Sequence, residues 1–204
     1  MRYSMTLTFT EPILGTAPKN RDVYAAHIAT KAEEMTGEQL EEELETVEEL
    51  EEKGWTGFHV KPDGTRVLMD YMVKGFMKDA CGMLRRCEGT RSSKVAAYKK
   101  KIDGLVFVFP RYPVLQLPAG GAFDVLERPL RAQTPQGERV ALARSDIAPA
   151  GTKIEIEVQT LGEKAVPEKL LREWFDYGAL RGLGQWRNAS YGRFTYTMEP
   201  LQEN

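Results

Sequence analysis

Cysteine and histidine are both scarce in this chain, with two of each among 204 residues. Cys81 and Cys87 lie six residues apart in a segment of helical pattern, about 240° around the axis from one another, so they cannot pair and are expected as reduced core thiols. His27 and His59 stand in no metal-ligand spacing with cysteine or with each other, so no metal site and no cofactor is expected. No apolar stretch approaches the roughly 20 residues that cross a bilayer. The start lacks a basic flank followed by an apolar signal core, which points to a cytosolic protein without a membrane partner. No phosphate-binding Walker loop and no serine-nucleophile motif occurs, which removes the common routes to nucleotide hydrolysis and acyl transfer.

Net charge is also small, at -2, and taken alone it argues against a nucleic-acid partner. Division by segment reverses that inference. Lys31 to Lys53 holds eleven glutamates and two lysines, a charge of -9, so the rest carries -2 + 9 = +7. Thr36 and Gln39 form a capping-box pattern, and Leu40, Leu44, Val47 and Leu50 make a narrow apolar seam, so 31–53 reads as one acidic helix inserted between core elements. It is either a solvated helix packed on the body or an arm that contacts a basic protein partner.

The remaining pattern is that of an α+β protein. Tyr3, Met5, Leu7 and Phe9 alternate with Ser4, Thr6, Thr8 and Thr10, as in a half-buried strand. The segment 67–86 carries apolar residues at helical spacing from Met72 to Leu84, with Asp70 as a candidate cap. Leu105 to Phe109 is a short apolar strand ended by Pro110, and Ile154, Ile156 and Val158 alternate with glutamates in a third strand. Val166 and Pro167 open a second helix that faces Leu170, Leu171, Trp174 and Phe175 inward. Phe194, Tyr196 and Met198 make the last strand. The order strand, helix, strand, strand, helix, strand matches a ferredoxin-like (RRM-like) core of four antiparallel strands and two helices. One domain, 1–204, is expected, with extra β-hairpins in a proline- and glycine-rich insertion about 110–150.

Three cationic features stand out. Arg181 to Gly192, RGLGQWRNASYG, combines Gly182, Gly184 and Gly192 with Arg181, Arg187 and the following Arg193, donors suited to phosphate or carboxylate. Its order, helix before and strand after, is the reverse of a dinucleotide fingerprint and excludes that reading. Trp186 and Tyr191 either stack on unpaired bases or pin the loop to the core. Lys74, Lys78 and Arg85 line one helix stripe, which is otherwise read as a solvated face. Arg85, Arg86, Arg91, Lys94 and Lys99 to Lys101 fall in a stretch with Gly89, Thr90, Ser92 and Ser93, read in part as a mobile loop able to follow a phosphate backbone.

Four short segments in order resemble the RAMP superfamily, the repeat-associated proteins that form the RNA-binding backbone and RNA-processing subunits of CRISPR effector complexes. They are the strand and Leu-Gly turn from Leu7 to Gly15, the Lys74–Gly75 step, the segment LARSDIAPAGTKIEIEV from Ala141 to Val158, and the glycine loop ending at Tyr191 and Gly192. The family's proline-glycine-serine-serine lead-in to the helix is replaced here by Asp70, Tyr71 and Met72. The resemblance implies a ferredoxin-like core and a partner of single-stranded RNA or DNA. Some relatives process RNA with a histidine or cut it with an acidic residue after the first strand, where this chain has His27 and Asp22, without the surrounding residues. The expectation is a non-catalytic RAMP-like nucleic-acid-binding protein with the compact look of small prophage-encoded chains. The alternatives are a CRISPR-subunit mimic or inhibitor acting through the acidic helix, and a cryptic ribonuclease.

Overall fold

Alternation of apolar and polar residues sets the strands, and the structure, a computed structural model, describes residues 1–19, 55–134, 137–162 and 164–201. The acidic segment 31–53, His27 and Asp22 lie outside the described residues. In chain order the elements are β1 (Arg2–Phe9), β2 (Ile13–Leu14), β3 (Ala17–Pro18), β4 (Trp55–Gly57), β5 (His59–Val60), β6 (Arg66–Val67), α1 (Asp70–Leu84), α2 (Tyr98–Leu105), β7 (Val106–Phe109), β8 (Asp124–Thr134), β9 (Gly137–Ala148), β10 (Lys153–Thr160), α3 (Glu168–Asp176), α4 (Gly178–Arg181) and β11 (Phe194–Leu201). Contacts divide them between two compact units, Met1–Leu14 with His59–Phe123 and Ala148–Asn204, and Gly15–Phe58 with Asp124–Ile147.

The larger unit holds a four-stranded antiparallel sheet in the order β11-β1-β10-β7. That order, with α1 between β1 and β7 and α3 between β10 and β11, is consistent with a ferredoxin-like core. Tyr3, Met5, Leu7 and Phe9 are buried, as are Ile154, Ile156 and Val158. Opposite registers such as Met5 with Ile156 and with Met198 put apolar side chains side by side across three strands. Helix α1 covers this face with Val73, Phe76, Met77, Ala80 and Cys81, and α3 with Leu170, Leu171, Trp174 and Phe175. Phe76, Phe175 and Phe194 meet edge to face or tilted at centroid separations of 5.2–6.4 Å. Gly178 sits where any Cβ would enter the Phe194 ring, so the short helix α4 can approach β11 only without a side chain there.

Several sequence expectations need correction. Helix α1 begins at Asp70, its N-cap is Met69, and Asp70 accepts only the adjacent Tyr71 N–H at 2.7 Å, so it is a first-turn anion and not a cap. The basic stretch 85–101 is not simply a loop: Ser92–Lys94 forms a 3-10 turn, and α2 starts at Tyr98 and runs through Leu105 into β7. Cys87 lies beyond α1 and is exposed, whereas Cys81 is a buried thiol whose pKa is pushed up by desolvation. A small hairpin of β5 and β6 precedes α1, joined through Lys61 and Thr65 and turning at Gly64 with φ +85°. Among the described residues no helix is long and apolar enough to cross a membrane.

The smaller unit is a sheet in which β3 pairs antiparallel with β4, β4 parallel with β9, and β8 antiparallel with β9. The hairpin of β8 and β9 runs in register from Asp124 and Ile147 to Thr134 and Gly137. Pro129 is tolerated in β8 because, among the described residues, that strand pairs on one side only. The carboxylate of Asp146, almost fully buried, is neutralised by Lys19 Nζ at 2.7 Å, and the same ammonium lies 4.1 Å from the centre of the Trp55 ring.

Candidate nucleic-acid interface

The Lys74, Lys78 and Arg85 stripe of α1 faces α2. Lys74 Nζ donates to the Asp103 carbonyl at 3.2 Å, Lys78 pairs with the Asp103 carboxylate at 2.5 Å, and the Arg85 guanidinium lies 5.2 Å from the Tyr98 ring. The stripe therefore clamps α2 to α1, and each cation keeps part of its surface in solvent. These contacts exist because α2, packed beside α1, offers an aromatic at its first residue, Tyr98, and an acid near its end, Asp103.

The segment between the two helices is held by a carboxylate. Glu173 on α3 accepts the Arg91 N–H at 2.6 Å, the Ser92 N–H at 2.9 Å and the Ser92 hydroxyl at 2.6 Å, and Trp174 Nε1 donates to Ser92 Oγ at 3.0 Å. Ser92 is fully buried, yet Arg91 and Lys94 on either side of it stay exposed. Thr90 adds hydroxyl bonds to the carbonyls of Leu84 and Cys87, which ends α1 in a fixed turn. The side chains of Arg86, Arg91, Lys94, Lys99 and Lys100 project into solvent without a carboxylate partner among the described residues. An anchored base with unpaired long-stemmed cations is an arrangement that can track a polyanion without reading sequence.

The glycine loop is organised differently from a ligand-embracing turn. Arg181 ends α4 and Arg187 begins a 3-10 turn, and both donate to the same oxygen of Asp79 on α1, at 3.0 and 2.7 Å. Arg181 also donates to Asn188 Oδ1 at 2.6 Å, and Arg193 to the Leu180 carbonyl at 3.1 Å. The expected donors are thus brought together, with intramolecular acceptors in the free protein. The close approaches that the glycines permit are to the chain's own backbone. Gly192, at φ +72°, has the Leu183 carbonyl where a Cβ would sit, and Gly182, at φ +79°, lies against the Tyr191 carbonyl and the Gly192–Arg193 peptide. Leu183 N–H donates to the Gly192 carbonyl, closing the loop, and Gly192 N–H donates to Pro12, each at 2.8 Å. Gly184 rests against Leu14. Trp186 and Tyr191 meet edge to face at 6.2 Å and are half-buried.

His59 lies on β5, half-buried, with its Nε2 3.3 Å from the Tyr71 hydroxyl, and desolvation lowers its pKa. Among the described residues no cluster of three or more His, Cys, Asp or Glu that could hold a metal ion is found. Sequence reasoning missed three participants, Asp79, Glu173 and Asp103. Each sits in a helix rich in charge, and its partner lies elsewhere in the chain. Only the count of basic residues nearby hinted that acids would be needed.

No protein-family model matches the sequence, and no curated protein matches it either. Solved structures do share the fold. A chain of a type III-B Cmr-β complex bound to cognate target RNA superposes with a TM-score of 0.55 at 10% identity, over 97% of this chain and 59% of that one. A chain of a type IV-B CRISPR complex gives a TM-score of 0.51 at 12% identity, over all of this chain and 93% of the other. The present chain thus spans less than two thirds of the first and nearly all of the second. At these identities the likeness is one of fold.

Proposed function

We propose that this protein is a RAMP-like, non-catalytic binder of single-stranded nucleic acid, with RNA as its ligand, built on a ferredoxin-like core. The observation that carries the reading is the anchored segment from Arg86 to Lys100, where exposed cations without carboxylate partners surround a buried serine held by Glu173. The fold shared with a chain of an RNA-bound complex supports it. So does the charge outside the acidic segment, -2 + 9 = +7. Lys74, Lys78, Arg85, Arg181, Arg187 and Arg193 contribute positive potential at the flanks, while their hydrogen bonds and, for Arg85, the Tyr98 ring fix where that charge sits. The glycines at 182, 184 and 192 act as the hinge-free base of the second loop, and Trp186 and Tyr191 offer ring surface to bases beside it.

The test is fluorescence anisotropy of labelled single-stranded RNA, single-stranded DNA and duplex DNA over a range of salt. The expected result is single-strand binding whose logarithm falls linearly with log salt, with about 0.7 unit of slope per phosphate neutralised. Combined Arg86→Glu, Lys94→Glu and Lys99→Glu substitutions, all at exposed positions, should weaken binding and flatten that slope by roughly 2 units. No binding by the wild type at low salt would refute the proposal.

A further inference from the structure

We infer a base-stacking site on the outer face of the four-stranded sheet, formed by Phe107 and Phe109 of edge strand β7 and made for two splayed bases of a single strand. This rests on the nucleic-acid reading above and adds a second surface to it. Strand β7 alternates so that Val106 and Val108 enter the core, and Phe107 and Phe109 face the other way, 36% and 47% exposed. Two aromatic rings left in water on a sheet face contribute nothing to that core, and each is a sequence-tolerant platform for a base.

The surroundings choose the occupant. Across the sheet Phe107 is in register with Gln159 and then Arg2, and Phe109 with Glu157 and then Ser4. The rim around the rings is polar, as it is around protein-docking patches too, so the cations beside the rings choose the occupant, a polyanion. Arg2 pairs with Glu157 through two bonds of 2.6 and 3.0 Å, so the nearest carboxylate is neutralised. Glu155, exposed on the same face two residues before Glu157, is diagonal to Phe109 at roughly 7–8 Å, whereas Glu199 is three strands away, about 14 Å at the usual strand spacing. Cations are closer: Lys74 Nζ lies 5.3 Å from the centre of the Phe107 ring, and Arg111, two residues past Phe109, lies 5.5 Å from the exposed Tyr112 ring. Residues i and i+2 of a strand are about 6.7 Å apart. That is about twice the 3.4 Å rise of stacked bases, so each ring takes one base and the two bases do not stack on each other. Polar groups beside the rings, Gln159, Ser4 and Arg2, are suited to base edges.

The experiment compares the wild type with Phe107→Ala/Phe109→Ala and Phe107→Tyr/Phe109→Tyr double variants. Each binds a labelled oligouridylate and, separately, an abasic ribose-phosphate oligomer of equal length, with circular dichroism and sedimentation on every protein. The alanine pair should lose at least about tenfold in affinity for oligouridylate and nothing for the abasic oligomer, and the tyrosine pair should retain binding. Photo-crosslinking of a 4-thiouridine oligomer should place the adduct on the peptide holding Phe107 and Phe109. Equal affinity of the wild type and the alanine pair for oligouridylate would overturn the stacking site and leave the phosphate-tracking proposal standing, as would an equal loss on both oligomers. A wild type that binds neither oligomer at low salt would overturn both. A wild-type dimer that becomes a monomer in the alanine pair would assign the face to a second copy of the chain and overturn the inference.

Discussion

Replacing Glu173 with alanine removes one carboxylate and three hydrogen bonds at once, which makes it the sharpest test of how the basic segment is held. The Arg91 N–H is near solvent and recovers a bond to water, so its loss costs little. The Ser92 N–H cannot, because Ser92 is fully buried, and a stranded buried donor costs about 1–3 kcal/mol. The Ser92 hydroxyl also loses its charged acceptor while it still receives the Trp174 N–H. The sum is about 2–4 kcal/mol, and in a chain of this size that lowers Tm by roughly 5–15 °C. Glu173→Gln keeps one carbonyl acceptor and should lose about half as much, roughly 1–2 kcal/mol. Thermal and urea denaturation followed by circular dichroism gives both numbers. RNA affinity should fall with the salt slope almost unchanged, because the cations of 86–100 remain but their placement loosens. An alanine variant within about 0.5 kcal/mol of wild type would refute the argument, since that is the range of neutral surface substitutions.

Gly192→Ala should destabilise by at least about 2 kcal/mol, since it adds a left-handed backbone penalty to a clash with the Leu183 carbonyl, and urea denaturation checks it. Tyr196, half-buried and donating to Asp176 at 2.8 Å, has its pKa pushed up to about 12, so a 295 nm absorbance step near pH 12 should be present in the wild type and absent in Tyr196→Phe. The unfolded chain loses this proton near pH 10 and the folded one near 12, so the stability it gives is complete below pH 10 and declines as pH rises between them; Tyr196→Phe should flatten that decline. A thiol reagent should modify one cysteine rapidly in the native protein, Cys87, and reach Cys81 only on unfolding; two fast thiols would contradict the packing of α1.

Strands β1, β10 and β11 were legible because each buries one face and shows it as strict alternation. Helix α3 was legible for a similar reason, with four large apolar residues on one side and a proline at its cap. Helix α2 was not: KKKI followed by Asp103 and Gly104 offers one buried side chain, Ile102, too little for periodicity to register. The run Leu105 to Phe109 looked like a buried strand, and nothing local distinguishes an inner strand from an edge strand, which is why Phe107 and Phe109 were not singled out. The arginines at 181 and 187 were recognisable as planar donors by type, but Asp79, 102 and 108 residues away, could be joined to them only by folding. Glycines 182 and 192 signalled close approach correctly, and their spacing could not say that the approaching partner was the loop itself.

Strand β1 is the second strand of its sheet, yet its neighbours β10 and β11 are the last two strands of the chain. Met1 and Thr160, which share a hydrogen bond, are 159 residues apart. During synthesis at about 5–20 residues per second, β1 therefore spends roughly 8–30 s without a partner on either edge. Four large apolar side chains and a full row of backbone donors and acceptors stand open to pairing with other chains over that interval. The yield of native protein is set by the race between translation and aggregation, and slower synthesis will lower it, an outcome that follows from the order of the strands and from no single residue.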